Sequence, residues 1–169
     1  GSGKSTTLAA LLDYLNLHHR RHVVTIEDPI EFVHATKASL IHQRQVGMHT
    51  ESFSKALRAA LREDPDVILI GELRDIDTIQ LALLPAETGH LVLASLHSAR
   101  AHSAVDRMID LFPAEQQGQV RVMLAESLRG VLSQRLYPKQ GGGRILAVEA
   151  LTGSSAVRNL IRESKTHQL

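Results

Sequence analysis

Leu8, Leu11, Leu12 and Leu15 recur at i, i+3, i+4 and i+7, a spacing that predicts an amphipathic helix over about Ser5 to Asn16 with one buried stripe. A polar turn, LHHRRH, separates it from Val23-Val24-Thr25-Ile26, a β-branched run of the kind that fills buried parallel strands. From residue 32 to 50 the chain is polar and rich in histidine, with Ile41 and Val46 as apolar anchors, which predicts one or two short edge strands or an excursion. Helical spacing returns with Phe53, Ala56, Leu57, Ala60 and Leu61; Thr50 is the expected N-cap and Pro65 the expected stop.

The wholly apolar Val67-Ile68-Leu69-Ile70 predicts a buried strand, and Ile76, Ile79 and Leu83 predict a helix that Pro85 kinks or ends. A further strand is expected from Leu91 to Leu96, then helices over Ala104 to Phe112 and Ala114 to Leu136, the second with a seam of Val120, Leu124, Leu128 and Val131. Pro138 and Gly141-Gly142-Gly143 mark a turn, and Arg144 to Leu151 reads as a strand, so that two late β segments flank the turn as a hairpin. Ser154 and Ser155 can cap a last helix, AVRNLIRES, with Val157, Leu160 and Ile161 on its apolar face and Arg158, Asn159 and Arg162 on the other. On its own chemistry that second face also suits ordinary solvation.

Composition narrows this picture. The 169 residues, 43% apolar and 22% charged, suffice for one domain with a core but not for two full ones. Only 3% are aromatic, so the core must be aliphatic. A net charge of +1 gives no argument for nucleic acid or an anionic membrane as main partner. Without cysteine there is neither a disulfide frame nor a thiolate metal site. No apolar run approaches the ~18 residues of a membrane span, and no signal peptide is visible. His18 and His22 have a spacing that suits a metal on a helix, but they fall in a turn among arginines, where a solvated loop is the expectation.

The chemistry gathers at the ends of these elements. The chain begins Gly1-Ser2-Gly3-Lys4-Ser5-Thr6, the back half of a P-loop. Glycines let backbone N–H groups curl around an anion, the lysine reaches phosphates, the serine holds Mg²⁺, and the helix that follows aims its positive end at the same charge. Taken alone, so short a match also fits a flexible linker. The strand before Glu27 delivers Glu27-Asp28-Pro29-Ile30-Glu31, three carboxylates that are costly to hold together unless a cation or a reacting water shares them; a solvated acidic loop is the competing reading. Val67–Ile70 delivers Gly71 and Glu72, an arrangement like Walker B with glycine where many P-loop proteins carry aspartate. His90 and His97 bracket the next strand; His97, which follows the strand as Glu27 and Glu72 follow theirs, has the better claim to face a nucleotide.

Together GSGKSTTLAA, TIEDPIEF, ALREDPDVILIGELRD, AETGH with SLH, and AVRNLIRE closely resemble, in order and spacing, the type IV pilus retraction ATPases of the type II/IV secretion motor superfamily. The resemblance runs through essentially the whole chain and removes the linker reading. It implies an α/β, RecA-like P-loop NTPase core with a mostly parallel sheet flanked by helices and a C-terminal helical portion, and it reads residues 1–169 as a single truncated motor domain. It implies ATP and Mg²⁺ as cofactors, with Gly1, Ser2, Gly3, Lys4, Ser5, Thr6 and His90 binding nucleotide, and Ser5 and Glu72 holding the metal. Glu31 carries over as the catalytic carboxylate with Glu27 as fallback, beside Glu72 and His97. Ala156, Val157, Arg158, Asn159, Leu160, Ile161, Arg162 and Glu163 correspond to a motif tied to retraction.

The implied partners are five further copies in a homo-hexamer, an inner-membrane pilus platform protein and a paralogous retraction ATPase. No nucleic acid and no membrane span are expected, and the place is the cytoplasmic side of the inner-membrane machinery. An assembly or type II secretion ATPase, or a weakly hydrolysing subunit of a mixed ring, are the alternatives. The strand and first glycine ahead of the P-loop, and an N-terminal domain, are missing from the resemblance. The isolated piece is therefore expected to hydrolyse ATP poorly while the intact protein does so well.

Overall fold

The computed structural model describes residues 2–98 and 100–169. Its elements run α1 (Lys4–His18), β1 (His22–Glu27), β2 (Leu40–Gln45), α2 (Phe53–Ala60), β3 (Val67–Ile70), α3 (Ile76–Glu87), β4 (Leu91–Ala94), α4 (Ala101–Asp110), α5 (Ala114–Ser127), β5 (Gly130–Pro138), β6 (Arg144–Thr152), α6 (Ser155–Arg162) and a 3₁₀ turn (Thr166–Gln168). They form two compact units, Ser5–Leu96 and residues 2–4 with His97–Leu169.

In the Ser5–Leu96 unit the four strands lie in the order β2-β1-β3-β4, and every pairing is parallel. Parallel strands need crossovers, and helices covering both faces hide the sheet from water. One face packs Val23, Ile41, Val67 and Leu69 under Leu12 of α1; the other packs Ile26, Ile68 and Ile70 under Ala56 and Leu57 of α2 and Leu81 and Ala82 of α3. The predicted α/β class with a parallel sheet and flanking helices is the one observed. β2 is the edge strand that the polar stretch after residue 32 allowed.

Several expectations shift on inspection. In α1 the stripe narrows: Leu12 is buried and Leu8 and Leu15 pack beside it, but Leu11 is 40% exposed. Asn16, one turn after Leu12, is fully buried instead; its amide donates to the Ala35 carbonyl at 2.7 Å and accepts from the N–H groups of Lys37 and Ser39. That hub fixes the approach to β2. Ser52, not Thr50, caps α2, its hydroxyl accepting from Lys55 N–H at 3.2 Å. α3 continues two residues past Pro85, within its final turn. β4 ends at Ala94, and the following helix starts at Ala101.

The other unit carries the larger correction. The expected helix from Ala114 to Leu136 stops at Ser127, and Leu128 is extended. Val131, expected on the helical seam, lies instead on β5 opposite Leu151. The physical reason is close backbone packing: a Cβ on Gly153 would stand 2.1 Å from the Leu128 carbonyl oxygen, so the two segments meet only where a glycine sits. The β5–β6 hairpin turns through Gly141, Gly142 and Gly143, all at positive φ, as the triple glycine predicted. The buried apolar residues described in this unit are Ala101, Ala104, Val105, Ile109, Phe112, Val120, Leu124, Ala125 and Ile161. The C-terminal portion is thus helical with a hairpin inserted. Among the described residues no helix is long and apolar enough to cross a membrane.

Candidate active site

In a parallel sheet the polar residues just past the carboxyl ends of the strands gather on one edge. Here β1 ends in Glu27, β2 in Gln45, β3 leads to Gly71 and Glu72, and β4 to Ser95. The tips are laced together. Gly71 N–H donates to the Ile26 carbonyl, Leu73 N–H to the Ser95 carbonyl, and the Ser95 hydroxyl to the Gly71 carbonyl. The glycine at position 71 is explained by that closeness. A Cβ there would lie 3.3 Å from both the Ile26 oxygen and Glu27 Cα, so an aspartate is excluded unless the backbone gives way.

The acidic segment after β1 is held by residues that the motif reading did not single out. Thr25 donates to Glu27 Oε1 at 2.6 Å, and Gln43 Nε2 donates to the same oxygen at 3.0 Å. Gln43 also donates to the Phe32 carbonyl at 2.9 Å and accepts from His34 N–H at 2.8 Å. Gln45 accepts from Ile30 N–H at 3.1 Å. Thr25 pairs with Gln43 and Glu27 with Gln45 across the two strands, so all four project on one face. The signal in the sequence is the Gln-x-Gln alternation on a strand that is otherwise too polar to be recognised.

Within this lattice Glu31 reaches the start of α1: Ser5 Oγ donates to Glu31 Oε1 at 2.8 Å. No acid occupies the first turn of that helix, so its positive end is left for an anion. Thr6 is exposed on the same turn. Glu72 accepts from Arg74 Nε at 2.6 Å, and the same guanidinium reaches Asp28 Oδ2 at 3.1 Å. Hydrogen bonding to Glu72, then to Asp28, holds Arg74 above its usual range. Arg74 also lies over the Phe53 ring, 5.9 Å from its centroid. Glu27, Glu31, Asp28 and Glu72 therefore share one sheet edge, with Ser5 joined to it through Glu31.

His90 is placed elsewhere. It precedes β4, at the amino end of that strand, and its Nδ1 lies 3.0 Å from both the Pro85 carbonyl and Thr88 Oγ1. Four residues of strand, ~13 Å, separate it from the carboxyl edge.

The unit that holds residues 2–4 contains a second polar group. Lys4 Nζ lies 3.2 Å from His97 Nδ1. An ammonium can only donate, so Nδ1 accepts and this imidazole carries its proton on Nε2. Arg107 Nη1 donates to the His97 carbonyl at 2.6 Å. Gly3, at φ +86°, supplies the turn into the helix, and Ser2 precedes it half-buried. Gly1 lies outside the described residues.

The segment Ala156–Glu163 lies on and just past α6. Ile161 is fully buried, while Val157 and Leu160 are half-buried. Ala156, Asn159, Arg162 and Glu163 are exposed. Arg158 Nε donates to the Gly153 carbonyl at 3.1 Å, Arg162 bonds Asn159 at 3.3 Å and lies 3.7 Å from Glu126. Lys165 holds the Glu163 carboxyl below the usual range by a direct hydrogen bond.

The family model for type II/IV secretion system proteins matches residues 1–166. Over all 169 residues the chain is 59% identical to the type IV pilus retractation ATPase PilT of Pseudomonas aeruginosa, covering 49% of that protein. Over 170 aligned positions it is 57% identical to a twitching motility protein of Neisseria gonorrhoeae, covering all of this chain and 46% of the other. The crystal structure of the pilus retraction motor PilT with bound ADP matches at a TM-score of 0.96 and 56% identity, over 99% of this chain and 49% of that one. The chain spans about half the length of the relatives it matches.

Proposed function

Since the chain belongs to the type II/IV secretion system protein family, we propose that the protein of which it forms part is an ATP-hydrolysing motor that drives type IV pilus retraction. The observation that carries the enzymatic part is the Ser5–Glu31 hydrogen bond at the start of α1, beside the strand-tip carboxylates. The pilus assignment is supported by the likeness to the retraction motors of Pseudomonas and Neisseria.

The residues fit a magnesium nucleotide. A helix start with no acid in its first turn suits phosphate, and the hydroxyl oxygen of Ser5 and the carboxylate oxygens of Glu72 are the hard donors that Mg²⁺ takes. Bound Mg²⁺ supplies charge neutralisation at the phosphate oxygens. Lys4 binds phosphate, and His97, 3.2 Å from its ammonium, positions it. Ser2 and Gly3 lead into α1 and bind phosphate through their backbone N–H groups. Glu31 orients the attacking water and accepts its proton, and Glu27, already engaged by Thr25 and Gln43, holds the segment's shape. Arg74 fixes Glu72 and keeps two acids from repelling each other.

A homo-hexameric ring that acts with an inner-membrane platform protein and a paralogous ATPase, on the cytoplasmic side, is the setting this reading expects. His90, remote from its own sheet edge, serves a neighbouring copy's nucleotide in such a ring, and the exposed face of α6 with Arg162 serves retraction. The test is Mg²⁺-dependent phosphate release by the full-length protein. Glu72→Gln is expected to retain nucleotide binding and lose most turnover, whereas Arg162→Ala retains turnover and loses twitching motility. Full turnover in Glu72→Gln would overturn the assignment.

A further inference from the structure

At the end of the sheet opposite the carboxylate edge, three side chains meet that the proposed ATPase chemistry leaves unused. His22 opens β1, and His42 lies on β2 opposite Val24, two residues on. Residues two apart on a strand share a face, so both imidazoles project to the side covered by α2. The turn that ends α2 brings Glu63 to the same place, its N–H donating to the Ala60 carbonyl. One ring nitrogen of each histidine and a Glu63 oxygen all lie within 4.8 Å of one another.

We propose that His22, His42 and Glu63 bind a divalent transition ion of the zinc class, with water in the fourth position. The two ring nitrogens stand 3.2 Å apart. At metal–nitrogen distances of about 2.0–2.1 Å, that separation subtends about 100–105° at the ion, close to tetrahedral. The rings are nearly perpendicular, 84° between planes, so each can present its lone pair without stacking on the other. Glu63 lies on the turn after α2, where one of its carboxylate oxygens is already within reach of both imidazoles. Arg44 Nη2 holds its Oε1 at 2.5 Å and so orients the carboxylate; a carboxylate has lone pairs for both a guanidinium and a metal. The frame behind the ligands is firm. Asp66 accepts from His22 N–H at 2.8 Å and from Arg21 at 2.9 Å, and holds the start of β1.

Two imidazoles and one carboxylate favour zinc over magnesium, which takes oxygen donors almost exclusively. The ion would tie the edge strand β2, the strand β1 and the turn after α2 into one clip. It therefore steadies the strand that carries Gln43 and Gln45.

The experiment is calorimetric titration of the full-length protein with zinc chloride in millimolar Mg²⁺, which saturates the hard-oxygen site, alongside thermal unfolding with and without zinc. Wild type is expected to take up a single zinc per chain at this site and to unfold at higher temperature when loaded. His42→Asn and Glu63→Gln should each weaken that binding at least about tenfold and lose the thermal shift. The Glu63 variant covers the case in which the His42 variant fails to fold. Absence of zinc uptake by wild type, or the same affinity and shift in both variants, overturns the proposal; the latter would place the ion on others of the ten histidines.

Discussion

Gln43 is the side chain on which the acidic segment rests, and its removal makes a sharp test. Truncation to alanine deletes a charge-assisted bond to Glu27 at 3.0 Å and two neutral bonds, to the Phe32 carbonyl and from His34 N–H. Charge-assisted bonds contribute about 1.5–3 kcal/mol and neutral ones about 0.5–1.5 kcal/mol when buried. Gln43 is only half-buried, so water recovers part of this, and a net loss of about 1.5–3 kcal/mol is expected. Urea unfolding of wild type and Gln43→Ala reads it as a lower midpoint at unchanged slope. In the full-length protein the same change should lower kcat by about tenfold, equivalent to ~1.4 kcal/mol of misplaced geometry at Glu31, with nucleotide affinity preserved. Gln43→Glu sharpens the result, because it sets a second carboxylate against Glu27 and should cost more at neutral pH than at acidic pH. Stability within about 0.5 kcal/mol of wild type together with unchanged kcat would refute the idea that β2 positions the acids.

Gly71→Ala should destabilise the protein by about 1–3 kcal/mol, since its methyl meets backbone atoms of Ile26 and Glu27 at 3.3 Å that cannot swing aside; thermal unfolding measures it, and an unchanged midpoint would contradict the tight strand tips. Asp66, held below its ordinary 3.8 first by the His22 N–H and then by Arg21, contributes stability that is present above that value and lost as pH falls through the lower folded one. Its carboxylate is 40% exposed, so Asp66→Asn should cost no more than about 1 kcal/mol near neutrality and flatten the acid side of the stability–pH curve below pH 3.8.

The elements most legible in the sequence were those whose burial is one-sided or complete. Val23–Ile26 and Val67–Ile70 announce themselves because a parallel core strand is apolar on both faces. The motif acids followed directly, since they sit at the ends of those strands. β2 was nearly silent: its burial is partial and its inward residues are glutamines that bind backbone and carboxylate. The helix that ran too far past Ser127 did so because Leu128 and Val131 continue the apolar spacing of Val120 and Leu124. What ends it is Gly153, distant in sequence, against which the Leu128 carbonyl packs. Asn16 was hidden in the same way, a polar residue buried because a loop about twenty residues on supplies its partners.

The claim that Glu31, placed on Ser5 at the start of α1, activates the attacking water is tested most directly by pre-steady-state ATP hydrolysis in the full-length protein. Glu31→Gln should bind ATP as wild type does and lose turnover by about 10²–10⁴-fold, whereas Glu27→Gln should lose stability and a smaller share of rate. Wild-type turnover in Glu31→Gln, with Glu27→Gln inactive, would contradict the account and move the catalytic carboxylate to the strand tip itself.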